Sequence, residues 1–90
     1  MQNEKSLERR LSRLVKQKGG LCLKWVSPGV TGVPDRIVIH QGRVIFVELK
    51  DPKGVLSPRQ RLVIQMLRDV GAEVSLLASA EEVDNFVGSL

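Results

Sequence analysis

The sequence predicts an α/β fold in which a central sheet of about four strands is flanked by helices, in the order α-β-β-β-α-β-α. Two apolar runs rich in Val and Ile flank Gln41-Gly42, a pattern typical of a β-hairpin. Three other segments carry apolar residues at helical spacing and are bounded by capping residues or glycines. The 90 residues fit a single domain, 1–90, with one modest core.

The first predicted element is an amphipathic helix from Lys5 to Lys18, which Gly19-Gly20 ends. Glu8 lies on the border of its apolar stripe and could reach inward past the sheet edge. Glu4 points in nearly the same direction. For either residue the alternative is a solvated acid that stabilises the helix N-terminus. The helical wheel does not decide whether Glu8 or Glu4 is the residue that reaches inward.

A short strand and an irregular loop follow the helix. The strand is predicted from Leu21 to Val26, and its Lys24 is either an edge-strand charge or a phosphate contact. The segment Ser27 to Pro34 contains two prolines and two glycines, which indicate a loop. This loop either connects strands or lets backbone approach a ligand closely, since glycine has no Cβ.

The hairpin is predicted from Asp35 to His40 and from Arg43 to Leu49. If Gln41-Gly42 is a two-residue loop, Asp35 lies directly opposite Glu48, with Cβ atoms roughly 4.5 to 5.5 Å apart. Lys50 then projects from the same face as both acids. A three-residue loop would shift the register and separate the acids. Because opposed like charges destabilise a sheet, the first register calls for a cation between them, and a divalent metal would serve.

The second half of the chain is predicted to add a turn, a helix, a strand and a closing helix. Asp51 to Leu56 is the turn. Ser57 is then the helix N-cap, Pro58 the first helical residue and Gln60 the third residue of a capping box. Gln60 also falls on the helical stripe that faces the sheet. The remaining boundaries are a helix end at Gly71, a strand over Glu73–Leu77 and a helix over Ala80–Val87 capped by Ser79.

The cysteine count, the apolar runs and the net charge exclude several classes of protein. The lone Cys22 excludes an intrachain disulfide and a cysteine zinc site, which fits a reducing compartment. A charged start and the lack of a long apolar run predict no signal peptide and no membrane contact, hence a cytoplasmic location. The net charge of +4 and the pI of about 9.7 fit either a polyanionic partner or a solvated basic surface.

The acids and the lysine form the pattern P-D-x(n)-E-x-K, which is suited to metal-assisted phosphodiester hydrolysis. Carboxylate oxygens favour Mg²⁺ or Mn²⁺ as the bound metal. Such a metal polarises a phosphoryl oxygen and lowers the pKa of bound water. His40 lies at the turn, at the far end of the hairpin from the acids, and is a poor candidate for ligand or base.

With VSPGVTGVPDRIVI, VIFVELK and LSPRQ in this order, the chain resembles a stand-alone VRR-NUC domain of the PD-(D/E)xK nuclease superfamily. The resemblance implies a restriction-endonuclease-like core with a mixed sheet. It also implies metal binding by Asp35, Glu48 and the Leu49 carbonyl, with Lys50 orienting or activating the attacking water. By the same resemblance Glu8 and Gln60 support the metal and the water, with Glu8 as a metal ligand either directly or through water, which favours Glu8 over Glu4.

The resemblance further implies a structure-selective DNA endonuclease that resembles Holliday junction resolvases and acts on branched DNA as a homodimer. Symmetrical cutting of a four-way junction needs two active sites, which a C2 dimer provides. The alternatives are a flap or other DNA nuclease of the same family, a non-catalytic DNA-binding module, and a partner-binding subunit. The candidates for DNA contact are basic, polar and glycine residues: Lys24, Ser27, Gly29, Gly32, Arg36, Lys53, Arg59 and Arg61.

Overall fold

The computed structural model describes residues 3–90 and confirms the predicted fold class and order of elements. The helices and strands are α1 (Glu4–Gln17), β1 (Leu21–Lys24), β2 (Arg36–His40), β3 (Arg43–Leu49), α2 (Pro58–Asp69), β4 (Glu73–Leu77) and α3 (Ala80–Gly88). Most bounds lie within a residue or two of those predicted. The first strand is shorter than expected and ends at Lys24, not Val26.

The four strands form one mixed sheet in the order β1-β2-β3-β4. The pairs β1–β2 and β2–β3 are antiparallel, whereas β3 and β4 are parallel. The parallel pair arises because α2 carries the chain back to the other end of the sheet before β4 begins.

A two-residue turn sets the register of the hairpin. Gln41 and Gly42 have φ angles of 48° and 80°, and two positive values in succession characterise the type I′ turn that matches strand twist. His40 pairs with Arg43, and the last ladder pair joins Arg36 to Val47. One residue farther out, Asp35 lies opposite Glu48. The three-residue alternative is thereby excluded, and the predicted register is confirmed.

The core lies on one face of the sheet, beneath α1 and α3. The apolar stripes of these helices pack against alternate residues of β2, β3 and β4, as the period of two along a strand requires. The buried side chains of this core are Leu7, Leu11, Val15, Val38, Ile45, Val47, Leu49, Leu77, Val83, Phe86 and Val87. This packing fixes α1 across the sheet, so that its first turn reaches the strand ends where Asp35 and Glu48 lie.

The opposite face is only partly covered. Here α2 packs over β4, burying its Val63 and Ile64. Val70 falls on the same helical stripe as Gln60, which was predicted to face the sheet, but it is the C-cap residue and is 83% exposed. On the β1 side of the same face, Leu21 and Leu23 are 56% and 45% exposed. The sheet was predicted to be flanked by helices, because its hairpin strands carry apolar residues on both faces, but within residues 3–90 no helix covers the β1 side of this face.

The helix ends follow the sequence signals. Ser57 and Gln60 form the predicted capping box of α2, and Gly71 follows its C-cap with a φ of 92°. Asn3 forms a capping box with Ser6 at the start of α1, a cap that was not predicted. Among the described residues, no helix combines the length and apolar character needed to span a membrane.

Candidate active site

Asp35 and Glu48 meet at the open end of the hairpin. Asp35 Oδ2 accepts a hydrogen bond from the Leu49 backbone N–H at 3.0 Å, which ties the start of β2 to the end of β3. Glu48 is only 2% exposed, and no other charged or polar residue belongs to the buried set among the described residues. A buried carboxyl beside a second carboxyl is costly to the fold. The pair therefore calls for a functional explanation.

Both carboxyls are harder to ionise than usual. Burial, followed by the charge of Asp35, raises the pKa of Glu48 to about 7. Burial also raises the pKa of Asp35, although the hydrogen bond from Leu49 opposes this shift. The charge of Lys50 lowers the pKa of both acids in part. Two acids with raised pKa values at one place are typical of a functional site.

Gln60 joins the start of α2 to Glu48. Its Nε2 donates to Glu48 Oε2 at 3.1 Å, while its Oε1 accepts from the Ser57 N–H at 2.9 Å. The Ser57 hydroxyl in turn accepts from the Gln60 N–H at 3.1 Å. Gln60 thus fills the capping role and the sheet-facing role together. Its amide orientation is set by the helix cap, which fixes the direction from which Glu48 is contacted.

Lys50 lies beside the two acids but pairs directly with Glu4. The Nζ atom is 3.2 Å from Glu4 Oε1. The Lys50 backbone N–H donates to the Leu77 carbonyl at 3.0 Å and so extends the parallel ladder past Leu49. Lys50 was predicted to share the face of the two acids, and the family resemblance favoured Glu8 over Glu4, so the direct pair with Glu4 was not predicted. The helical wheel, which gave Glu4 and Glu8 nearly the same direction, was the signal for its approach.

Glu8 occupies a neighbouring position among cations. Its Oε1 is 3.2 Å from Arg36 Nη2 and 3.7 Å from Lys24 Nζ. Its charge nevertheless contributes to the raised pKa of Asp35. Residues 3–90 contain no group of three or more His, Cys, Asp or Glu side chains placed to hold a metal. Glu8 therefore does not complete a three-carboxylate cluster, and its support of a metal stays a prediction.

The two carboxylates of Asp35 and Glu48 nevertheless fit a hard divalent cation. Mg²⁺ is commonly held by one or two carboxylates with water and substrate phosphate filling its other positions. Asp35 and Glu48 supply two carboxylates whose mutual repulsion a cation would relieve. Their positions are fixed by the Leu49 N–H and the Gln60 amide. Leu49, between the end of the ladder and Lys50, is the residue whose carbonyl was predicted as a third ligand.

Two of the predicted DNA-contact residues, Gly32 and Arg59, pack against each other. Gly32 has a φ of 85°, and a Cβ there would lie 3.0 Å from the Arg59 carbonyl oxygen. Arg59 Nε donates to the Thr31 carbonyl at 3.3 Å. This packing holds the loop of residues 27–34 against the start of α2. A structural role is therefore sufficient to explain the glycine at position 32.

The other predicted DNA contacts differ in accessibility. The Arg36 side chain is 19% exposed and engaged by Glu8, and its Nη1 donates to the Cys22 carbonyl at 3.3 Å. Ser27 is half-buried beside Trp25. The exposed members of the set are Lys24, Gly29, Lys53, Arg59 and Arg61.

Comparison with known proteins gives concordant matches. A family model described as "VRR-NUC domain" matches residues 1–81. A protein of Acyrthosiphon pisum secondary endosymbiont phage 1 named "Putative nuclease p44" is 40% identical over 79 residues, covering 87% of this chain and 85% of the relative. A solved structure described as "VRR_NUC domain" aligns with a TM-score of 0.86 and 29% identity over 94% of both chains. With sequence, fold and site in agreement, the chain belongs to the VRR-NUC domain family.

Proposed function

We propose that this protein is a metal-dependent, structure-selective DNA endonuclease that cleaves branched DNA, with the four-way Holliday junction as its substrate, and that it acts as a homodimer. The observation that carries the nuclease proposal is the opposed pair of Asp35 and Glu48 beside Lys50. Membership of a nuclease-domain family and the name of the phage relative support it.

The proposed roles follow from the contacts of each side chain. Asp35 and Glu48 hold Mg²⁺ or Mn²⁺, with the Leu49 carbonyl as a further ligand. When bound, such an ion polarises a phosphoryl oxygen and lowers the pKa of a bound water. Lys50 lies close enough to both acids to influence their ionisation, so its ammonium can orient the attacking water and offset developing negative charge.

Gln60 and Glu8 are assigned supporting roles. Gln60 holds the Glu48 carboxyl in one orientation through a 3.1 Å hydrogen bond. Glu8 adds negative potential at Asp35 from the α1 side, which favours a bound cation there. Both roles act through the metal carboxylates and need no contact with the substrate.

The homodimer is proposed to form through the uncovered part of the sheet, here called the open face. It is made of exposed apolar side chains of β1, β3 and α2, namely Leu21, Leu23, Val44, Met66 and Val70. A groove of about 300 Å³ beside Trp25 joins the α2 part to the loop. Specific interfaces bury about 800 Å² per partner around an apolar centre. Apolar side chains can contact the same patch of a second copy across a two-fold axis, as an isologous interface requires.

The nuclease proposal is tested by incubating the protein with a four-way junction, a flap and a linear duplex, with Mg²⁺, with Mn²⁺ and with EDTA. Symmetrical cuts in the junction, dependent on the ion, are expected. Asp35→Asn keeps an acceptor for the Leu49 N–H while removing the charge, so it should fold normally and fail to cleave. Undiminished cleavage by this variant would sink the proposal. Faster cutting of the flap would reassign the substrate within the family.

The dimer is tested by size-exclusion chromatography with light scattering. Because one chain has a mass of 10.0 kDa, the dimer is expected at about 20 kDa. Leu23→Glu places a charge in the open face and should give a folded monomer. Val55→Glu is the matched control, since Val55 is an exposed apolar residue of the 51–56 turn. A wild-type monomer, or a dimer that survives Leu23→Glu, would contradict the assignment.

A further inference from the structure

A basic cavity lies on the other face of the sheet from the Asp35–Glu48 pair. It has a volume of about 180 Å³ and lies between α1 and the strands β1 and β2. Its lining residues are Lys5, Glu8, Arg9, Lys24 and Arg36. Four cations around one carboxylate leave a formal charge of +3, which repels a metal ion and attracts an anion.

The internal contacts of the cavity leave several of its cations accessible. Glu8 lies 3.2 Å from Arg36 Nη2, so it neutralises the least exposed cation of the group. Its contact with Lys24 is longer, at 3.7 Å, and the Lys24 side chain remains 68% exposed. Lys5 and Arg9 are also exposed. The excess positive charge therefore lies where a ligand from solvent can reach it.

Arg9 links this cavity to a second basic surface along α1. It also lines a cavity of about 350 Å³ with Arg10 and Arg13. There, Arg10 makes a bidentate ion pair with Asp84, with N–O distances of 2.7 and 2.8 Å. Lys5, Arg9 and Arg13 are spaced four residues apart, and like charges at this spacing destabilise a helix. A polyanion lying along α1 would compensate this repulsion.

The cavity is close to the proposed metal site. Arg36 directly follows Asp35, and Lys24 pairs with Arg36 across the sheet. The Trp25 N–H donates to the Asp35 carbonyl at 3.0 Å, which continues this connection past the end of β1. An anion held by Lys24 and Arg9 would therefore lie on the α1 side of the two acids.

We propose that the cavity lined by Lys5, Arg9, Lys24 and Arg36 binds a backbone phosphate of the DNA beside the scissile phosphate, and that α1 guides the strand away from the site. The inference rests on the proposed DNA nuclease function and names how that site holds its substrate. The ligand is a phosphodiester monoanion, contacted by the Lys24 ammonium and the Arg9 guanidinium. Arg36, which is held in place by Glu8 and the Cys22 carbonyl, forms part of the cavity wall.

The test measures DNA affinity in EDTA, where no cleavage occurs, by fluorescence anisotropy from 50 to 200 mM KCl. Each phosphate contact contributes about 0.9 to the slope of log K against log salt. Lys24→Gln and Arg9→Gln should each flatten this slope by up to about 0.9, the contribution of the one phosphate they share, and weaken binding by up to roughly tenfold near 0.1 M salt. Lys16→Gln is the matched control, an exposed cation in the last turn of the same helix. Thermal unfolding of every variant checks that the fold is intact.

The outcomes separate this inference from the nuclease proposal. Slopes for Lys24→Gln and Arg9→Gln equal to that of Lys16→Gln would overturn the phosphate site. Calorimetric binding of inorganic phosphate that both substitutions abolish, with unchanged DNA slopes, would assign the cavity to free phosphate and also overturn it. Flattened slopes for both variants, together with a wild-type protein that cleaves no DNA, would support the phosphate site while refuting the nuclease proposal.

Discussion

The raised pKa of Glu48 predicts that its neutral replacement, Glu48→Gln, makes the metal-free protein more stable at alkaline pH while abolishing cleavage. Glutamine keeps a carbonyl that can accept from the Gln60 amide, so the main positioning contact survives. What is lost is a buried negative charge opposite Asp35. Glu48 would then be required for cleavage and, at alkaline pH, would lower the stability of the metal-free protein.

The magnitude follows from the shift of the Glu48 pKa. Burial raises the pKa of Glu48 from 4.5 to about 7. At about 1.4 kcal/mol per pKa unit, this difference corresponds to about 3 kcal/mol of unfolding free energy. Because the folded protein holds the proton more tightly than the unfolded chain, this stability is complete below about pH 4.5 and is lost as pH rises through about 7. Stability of the metal-free wild type should therefore fall across this window.

The assay is urea unfolding in EDTA at pH 5 and pH 8 for the wild type and the variant. At pH 8 we expect Glu48→Gln to exceed the wild type by about 3 kcal/mol, and at pH 5 the difference should shrink to about 1 kcal/mol or less. Glu81→Gln, an exposed glutamate in the first turn of α3, is the control and should change stability by only a few tenths of a kcal/mol. A Glu48→Gln protein no more stable than the wild type at pH 8 would refute the reasoning.

Three further predictions concern the supports of the site. Gly32→Ala should lower the unfolding free energy by about 1–3 kcal/mol in urea, because its φ is positive and its Cβ would meet the Arg59 backbone at 3.0 Å; Gly29→Ala, with open space around it, should change little, and equal effects would contradict this account. Ser57→Ala should lower the unfolding free energy by about 1 kcal/mol, because the Gln60 backbone N–H loses its hydroxyl acceptor, whereas cleavage should persist because the Ser57 backbone N–H still donates to Gln60 Oε1; loss of cleavage in a folded variant would contradict this separation of the cap from the site. Glu4→Gln releases Lys50 from its 3.2 Å ion pair and should change kcat more than KM in steady-state cleavage, whereas an effect on KM alone would count against a positioning role.

The parts of the site that were predictable from sequence depend on local geometry. The two-residue turn alone fixes which residues face each other along the hairpin, so Asp35 and Glu48 could be paired without knowing the rest of the fold. The capping box of α2 is equally local and placed Gln60 correctly. For these residues, sequence spacing and backbone periodicity are sufficient information.

The parts that were missed depend on how separate elements pack. The Glu4–Lys50 pair requires the first turn of α1 to reach the end of β3, which the core beneath α1 determines. The uncovered β1 side results from the lateral position of α2 over β4, and helical periodicity carries no information about lateral position. The close packing of Gly32 on Arg59 is likewise a contact between a loop and a helix distant in sequence.

The type I′ turn at Gln41-Gly42 is exposed and distant from the two acids, yet it sets the register that places them opposite each other. The turn lies six residues from Asp35, roughly 20 Å along the strand. Inserting one residue there would turn every β3 side chain to the opposite face relative to β2, and Glu48 would point into the core beneath α1. Surface turns usually tolerate changes in length. In this protein the two-residue length of the turn determines whether the two acids face each other, so a change of that length would dismantle the proposed metal site.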